Sequence, residues 1–196
     1  MKNTLFIFAL LLVSSSIAQD KMENKLPYHE IPEYPKVYTA GTVAARMVDG
    51  LGFRYYWATE GLREEDLAFR PNEDARTTAE TLDHLYGLTN VIKNATLKQP
   101  NIGGQSKPEL TFEEKRKKTL ENIKIAADIL RTSSDLTEFK MIFINSKGTK
   151  EYPFWNEING PIADAIWHCG QVVLLRRSSG NPFNSKVSVL EGKVRE

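Results

Sequence analysis

The sequence predicts an all-α protein, a four-helix bundle with a short β-hairpin between its third and fourth helices. Apolar residues recur at three- and four-residue spacing in four separate segments. Two of these segments open with a capping box, Thr77 to Glu80 and Thr111 to Glu114. The chain is long enough for one well-buried domain, and its sequence shows no internal repeat or low-complexity tract. These observations together favour four long helices around one core.

The first 18 residues have the three parts of a secretory signal peptide. Lys2 precedes the apolar run 5–13, and the small residues Ser16 and Ala18 precede the expected cleavage point. The apolar run is too short for a permanent membrane span. We therefore predict export to the periplasm or the extracellular space, cleavage near Ala18, and no membrane contact afterwards. A buried N-terminal strand is the alternative interpretation.

The composition of the mature chain restricts its partners. Removal of residues 1–18 leaves 178 of 196 residues, and the 26 basic residues less Lys2 leave 25 against 25 acidic ones. A chain without a basic excess lacks a strong attraction for phosphate backbones, so nucleic acid is not an expected partner. Cys169 is the single cysteine, so stability must come from the core rather than from an internal disulfide.

The chain divides into four predicted parts, namely a signal peptide (1–18), an extended N-terminal arm (19–38), a helical bundle (39–183) and a C-terminal tail (184–196). The arm contains prolines among charged residues, which disfavours a helix, and we expect it to lie across the bundle.

Periodicity and capping residues place the first three helices. The first is predicted from Thr39 to Gly61, and the second begins at Thr77. Residues 99–108 are predicted to form a loop. The third helix begins at Thr111 and ends near Ser133.

The hairpin and the fourth helix come next in the chain. Apolar residues alternate between 139 and 143 and precede turn residues at 145–148, which predicts a short hairpin. Asn159, Gly160 and Pro161 indicate a cap with proline in the first helical turn. The fourth helix is predicted to end at Ser179 with Gly180 as its stop.

Two of the three histidines of the chain occupy the margins of apolar helix faces. His84 lies on the second predicted helix and His168 on the fourth, where Asp164 stands one turn earlier. Facing helices of a bundle commonly build metal sites from such inward side chains, and two imidazoles with one carboxylate leave coordination positions open. Hydrogen-bonded core histidines and an ordinary i,i+4 ion pair are the alternatives from spacing alone.

The stretch WHCGQVVLLRRSSGNP resembles the last helix of the DinB/YfiT-like superfamily, in which a histidine shortly precedes a Gly-Gln pair, as His168 precedes Gly170 and Gln171. The stretch GLREEDLAFRPNEDARTTAETLDHL resembles the junction of the first two helices of that superfamily, with an Arg-Pro link and then a ligand histidine that matches His84. The resemblance covers roughly residues 39–183.

The resemblance implies a bundle that binds a divalent metal through three histidines, one in the second helix and two spaced four apart in the fourth. Asp164 stands where the first histidine of the last pair is expected, so the implied ligand set is His84, Asp164 and His168. The expected ion is Zn, Ni, Fe or Mn. The implied activity is that of a metal-dependent hydrolase or thiol-type transferase with a small-molecule substrate.

The same resemblance leaves a competing interpretation open, in which the protein is a non-catalytic binding or stress-associated module that has lost the full metal triad. Asp164 is the residue that favours it. A homodimer is expected, because the superfamily often pairs bundles and a neutral surface offers little self-repulsion.

Four further residues are candidate neighbours of the site. Gln171 either supports a ligand or faces solvent, and Glu80 is a reserve carboxylate whose capping role also explains it. Tyr56 and Trp155 belong to aromatic clusters that either wall a pocket over the site or fill the core.

Two other features have ordinary explanations that we favour. Cys169 points about 100° away from His168 on the helix and is expected to be a buried structural thiol. Arg176 and Arg177 could bind an anionic substrate, but cations in a last helical turn already complement the helix dipole.

Overall fold

The computed structural model describes residues 25–104 and 108–196, so the predicted signal peptide lies outside the described chain. The described residues are mostly helical. In chain order the helices are α1 (Ala40–Thr59), α2 (Glu64–Ala68), α3 (Thr78–Thr96), α4 (Phe112–Thr132), α5 (Phe154–Glu157) and α6 (Ala163–Ser178). The long helix α4 packs against α1 and α3, and α6 packs against the same two helices. In the part of the chain that is described, no helix combines the length and the apolar character that a membrane crossing requires.

The predicted capping boxes are confirmed. The hydroxyl of Thr77 accepts a hydrogen bond from the Glu80 amide at 3.1 Å, and the Glu80 carboxylate accepts one from the Thr77 amide at 2.7 Å. Thr111 and Glu114 form the same reciprocal pair at the start of α4. These bonds satisfy amides that have no partner within the helix, and they fix where α3 and α4 begin.

The core lies between the four long helices. Its fully buried apolar side chains include Val48, Leu51, Tyr55, Leu82, Leu85, Ile92, Leu120, Ile123, Leu130 and Val172. A close backbone contact joins the start of α1 to the end of α4, because a Cβ atom on Gly41 would lie 2.2 Å from the carbonyl oxygen of Ser133. Only glycine allows these two helix ends to approach so closely.

The N-terminal arm is fixed to α1 by Tyr28. Its ring packs against Gly52, where a Cβ atom would lie 2.5 Å from the ring. Its hydroxyl donates to the buried carboxylate of Asp49 at 3.2 Å. Two further bonds, at 3.0 and 3.2 Å, join Asp49 to the Arg131 guanidinium of α4. The arm, α1 and α4 are therefore linked through one carboxylate.

The predicted hairpin is confirmed as β2 (Met141–Asn145) paired antiparallel with β3 (Gly148–Tyr152). The predicted loop at 99–108 needs a correction, because β1 (Asn101–Ile102) pairs in parallel with β2. The Asn101 side chain donates to the Ile142 carbonyl at 3.2 Å and accepts from Asn94 at 3.0 Å. A two-residue strand held by side-chain bonds leaves no apolar alternation for a sequence pattern to detect.

The predicted start of the fourth helix at Asn159 is wrong. The helical path begins earlier with α5 and continues through a π-helical turn, Ile158–Ile162, into α6. Gly160 departs from helical geometry with φ −94° and ψ −107°, and Pro161 lies inside the turn. Because proline lacks an amide hydrogen, the chain accommodates it in this wider turn rather than at a new helix start. At the other end Gly180 has φ 85°, which confirms the predicted stop.

The C-terminal residues fold back onto α1. Strands β4 (Val187–Ser188) and β5 (Lys193–Val194) pair antiparallel. Val187 packs with Phe53 and Trp57 of α1 in a small apolar cluster separate from the main core. Residues 184–196, predicted only as a tail, therefore cover part of the first helix.

Candidate metal centre

Helices α3 and α6 bring three potential ligands together. His84 comes from the first half of α3, Asp164 from the first turn of α6, and His168 from the next turn. One ligand atom from each residue lies within 4.8 Å of the other two. Within residues 25–104 and 108–196, this is the only cluster of His, Cys, Asp or Glu side chains with such spacing.

The carboxylate of Asp164 lies between the two imidazoles. Its Oδ2 is 3.1 Å from His84 Nε2, and its Oδ1 is 3.4 Å from His168 Nε2. Tetrahedral ligands bound at about 2.0 to 2.1 Å are separated by about 3.3 Å. The two distances are close to this value, and they end at different oxygens of the one carboxylate. The two rings are nearly perpendicular, with centroids 4.6 Å apart. The donor set therefore fits a divalent ion of the expected kind.

Gln171 determines which nitrogen of His168 is available. The Nδ1 atom of His168 donates to Gln171 Oε1 at 2.7 Å, which leaves the lone pair on Nε2. This lone pair and Asp164 Oδ1 are both acceptors 3.4 Å apart, and a cation between them, either a metal ion or a second proton on the ring, would satisfy both. A ring nitrogen that donates to an oxygen while the other faces a ligand position is typical of metal-binding histidines.

The cluster is closed on one side and open on the other. The His168 side chain is 13% exposed, whereas those of His84 and Asp164 are 34% and 39% exposed. The inner imidazole is therefore held by packing, while the outer two groups leave room for water or a substrate atom.

A groove of about 390 Å³ adjoins Asp164. The other described residues that line it are Leu88, Asn159, Gly160, Pro161, Ala163 and Trp167. Its wall is thus formed by the π-helical turn and by an indole that is 71% exposed. Trp167 is not among the residues predicted from the sequence, although its i,i+3 spacing from Asp164 places both on one helix face.

The remaining predicted neighbours lie elsewhere. Glu80 is held in its capping box, where the Thr77 amide lowers the pKa of the carboxyl. The Tyr56 ring lies under the Arg116 guanidinium at 4.7 Å. Trp155 in α5 is 77% exposed, and neither aromatic residue belongs to the described lining of the groove. Of the four candidates, Gln171 is the one that contacts a ligand residue.

Comparison of the chain with models of known protein families, with curated proteins and with solved structures finds no match.

Two residues that follow His168 in α6, Cys169 and Arg176, contribute to the fold. Cys169 is buried, as predicted, and burial raises the pKa of its thiol to about 12, so the thiol stays neutral. Arg176 was expected to complement its own helix, but it donates to the carbonyls of Trp57, Ala58 and Glu60 at the end of α1. Both residues therefore stabilise the fold rather than the metal centre.

Glu157, the last residue of α5, is fully buried, and neither carboxylate oxygen has a hydrogen-bond partner among the described residues. Burial raises the pKa of this carboxyl to about 8. The raised pKa favours the protonated form of Glu157 at neutral pH, and no sequence pattern identified this residue.

Proposed function

We propose that His84, Asp164 and His168 bind one divalent metal ion, and that the protein is a metal-dependent hydrolase or thiol-type transferase acting on a small molecule. One observation carries this proposal. Gln171 accepts the Nδ1 proton of His168, so that the lone pair of Nε2 faces a carboxylate oxygen across 3.4 Å. A metal ion satisfies both acceptors at once, and the open side of the cluster leaves a position for a reactant.

The chemistry expected of such a site is Lewis-acid activation, which lowers the pKa of a bound water or thiol and orients the substrate. The residues around the ion would determine which metal binds and which tautomer His168 adopts. The two imidazoles suit Zn, Ni or Fe, while the charge of Asp164 makes the site more favourable for harder ions such as Mn than three imidazoles would be. Gln171 keeps His168 in the tautomer that a metal requires.

The groove beside Asp164 is the proposed substrate site. Leu88, Pro161 and Trp167 offer apolar surface, and the exposed indole provides a flat face on which a planar or cationic group can stack. A volume of about 390 Å³ is in the range of small-molecule sites. A substrate held there would present its reacting atom to the open side of the cluster.

Membership of the DinB/YfiT-like superfamily is part of this proposal. In its support, four long helices pack around one core, and the two histidines that resemble ligands of that superfamily meet between α3 and α6. Export with a mature start at Gln19 and association into a dimer also remain predictions, which the mass of the exported chain and light scattering would check.

The first test is the metal content of protein purified without a chelating tag, measured by elemental mass spectrometry and again after reconstitution. We expect about one ion per chain in the wild type and a loss of most of it in His84→Ala and His168→Ala, because two remaining ligands hold an ion poorly. His29→Ala is the matched control, since His29 is the third histidine of the chain and lies in the N-terminal arm. Equal occupancy in all variants, or none in any, would contradict the proposal.

A second test addresses Gln171. Replacement by Ala removes the acceptor of the His168 Nδ1 proton, and we expect metal affinity to fall about tenfold or more. Gln171→Glu keeps an acceptor oxygen at the same position of the side chain and should therefore recover metal affinity. Nitrogen-15 NMR of the histidine rings should show a protonated Nδ1 on His168 in the wild type. An Nε2 that stays protonated after metal is added would argue for a purely structural pair.

Asp164→His separates the catalytic proposal from its rival. The change recreates the three-histidine set of the superfamily, and we expect zinc or nickel binding to persist or strengthen. The rival is the non-catalytic module, favoured by the fact that Asp164 contacts both imidazoles and could serve only to join α3 to α6. If the wild type binds no metal and Asp164→His does, the rival is correct.

A further inference from the structure

A second groove lies on a different side of α6, with a volume of about 380 Å³. It is bounded by α1, by α6 and by the C-terminal residues that fold back onto α1. Its α6 residues include Ile166, Gly170, Val173 and Arg177, which recur at spacings of four, three and four. This stripe does not contain Asp164, His168 or Gln171, so the groove is separate from the candidate metal centre.

The walls of the groove are mainly apolar. Phe53, Trp57 and Val187 are buried and form one apolar cluster, and Phe183 packs against it. Cys169 adds a buried side chain to this wall. The surface presented to a ligand is therefore suited to a hydrocarbon chain or ring.

Two arginines interrupt this apolar lining. Arg54 donates to the Gly50 carbonyl at 2.9 Å, and Arg177 lies in the last turn of α6. Neither guanidinium has a carboxylate of the described chain within ion-pair distance, in contrast to Arg116 and Arg131, which pair with Glu60 and Asp49. Two positive charges beside an apolar groove therefore remain uncompensated by the described residues.

We propose that this groove binds a small amphipathic carboxylate, with its apolar part against Phe53, Trp57 and Phe183 and its carboxylate on Arg54 and Arg177. Guanidinium groups bind carboxylates through charge-assisted hydrogen bonds, which are stronger in surroundings of low polarity. Burial of the apolar part supplies the remaining affinity, in proportion to the apolar area removed from water. Because the groove combines positive charge with apolar surface, its ligand should combine a negative charge with an apolar part.

The proposal is tested with octanoate as the probe, titrated by calorimetry into full-length mature protein. The titration is done after removal of metal with a chelator, because a carboxylate could also bind an ion at the candidate metal centre. We expect octanoate to bind at least about tenfold more tightly than octylammonium, which has the same chain and the opposite charge. Octanol should bind with intermediate affinity, because it retains only the apolar contact.

Variants locate the binding. Arg54→Gln with Arg177→Gln should weaken octanoate about tenfold and leave octanol unchanged. Gly170→Leu should abolish binding of both probes, because a Cβ at Gly170 has open space around it and the added side chain would fill the groove without straining the helix. Gly87→Leu on α3, where a Cβ also meets nothing, is the matched control and should bind octanoate normally.

Three outcomes would overturn the proposal. They are no octanoate binding by the wild type, equal binding of octanoate and octylammonium, and undiminished octanoate binding in Gly170→Leu. Light scattering on the same samples identifies the main rival occupant. If octanoate does not bind and Gly170→Leu converts a dimer into a monomer, a second copy of the chain occupies the groove and the ligand proposal fails. His84→Ala should bind octanoate as tightly as the wild type, because His84 does not line this groove.

Discussion

Two aspartates near opposite ends of α6 have contrasting surroundings. Asp66 of α2 is fully buried and accepts hydrogen bonds from the Arg63 backbone and guanidinium and from Ser179 and Asn181. Asp164 is 39% exposed and lies between two imidazoles. All the partners of Asp66 are donors, so its charge is fully compensated by the protein. Asp164 Oδ1 instead faces a nitrogen of His168 that is itself an acceptor, and a cation there would satisfy both groups.

The end of the molecule that holds Asp66 is closed further by Arg176. Its guanidinium donates to three carbonyls at the end of α1 and to Asn181. These are helix-end carbonyls that have no partner within α1. The contrast shows that saturation of hydrogen-bond partners distinguishes a structural carboxylate from a candidate ligand better than burial or charge alone.

Asp66→Ala should give the largest effect on stability. The hydrogen bond from Arg63, with those from Ser179 and Asn181, lowers the pKa of Asp66 well below its usual range. Removal of the carboxylate leaves several partly buried donors without their acceptor, and we expect a loss of about 3 kcal/mol in urea unfolding. Metal content should be unchanged. Asp74→Ala, at an exposed position, is the control and should change stability by less than about 0.5 kcal/mol.

Glu157→Gln should give the next effect, and this effect depends on pH. The pKa of Glu157 is about 8 in the folded state against 4.5 ordinarily, so the unfolded chain releases its proton first as pH rises. The contribution of Glu157 to stability is therefore complete below about pH 4.5 and is lost progressively up to about pH 8. Glu157→Gln should be more stable than the wild type by about 2 kcal/mol at pH 8 and equally stable at pH 4.

Urea unfolding at both pH values measures this difference, with Glu73→Gln at an exposed position as the control. A difference that does not depend on pH would mean that Glu157 is ionised in the folded protein. Glu157 would then be a third kind of carboxylate, one that is charged, buried and bound to an unidentified cation.

Glu80→Ala should give the smallest effect. It removes the capping bond to the Thr77 amide, which should cost about 1 kcal/mol at the start of α3. Because Glu80 is one turn before His84 but bonded within its own cap, metal affinity should stay within about twofold of the wild type. A large loss of metal would show that Glu80 belongs to the site and that its cap opens when an ion binds.

The parts of the fold that were predicted correctly rest on local and periodic information. Capping boxes at Thr77 and Thr111 fixed two helix starts, and the spacing of Asp164 and His168 placed both on one face of a helix. The meeting of that face with His84 was expected from the position of both histidines at apolar margins and from the family resemblance, because periodicity alone does not say which neighbouring helix a margin residue faces.

The parts that were missed depend on contacts between distant segments. Strand β1 is held by the hydrogen bond from the Asn101 side chain to β2. The C-terminal hairpin is held by the packing of Val187 against Phe53 and Trp57. The second groove on α6 needs α1 and the C-terminal residues together, so no single segment indicates it. Pro161 was misassigned because proline in the first turn of a helix and proline in a π-helical turn have similar local sequences around them.

The π-helical turn at Ile158–Ile162 has a consequence for how this site could change over evolutionary time. Such a turn contains more residues than an α-helical turn, so it shifts the rotational phase of the helix that comes after it. In an uninterrupted helix Glu157 and Asp164 would lie on nearly the same side, two turns apart. Here one carboxyl is buried and neutral and the other lies beside two imidazoles. Insertion or deletion of one residue in this turn, without any substitution in the ligands, would therefore be enough to turn the ligands of α6 away from His84 or to bring them towards it.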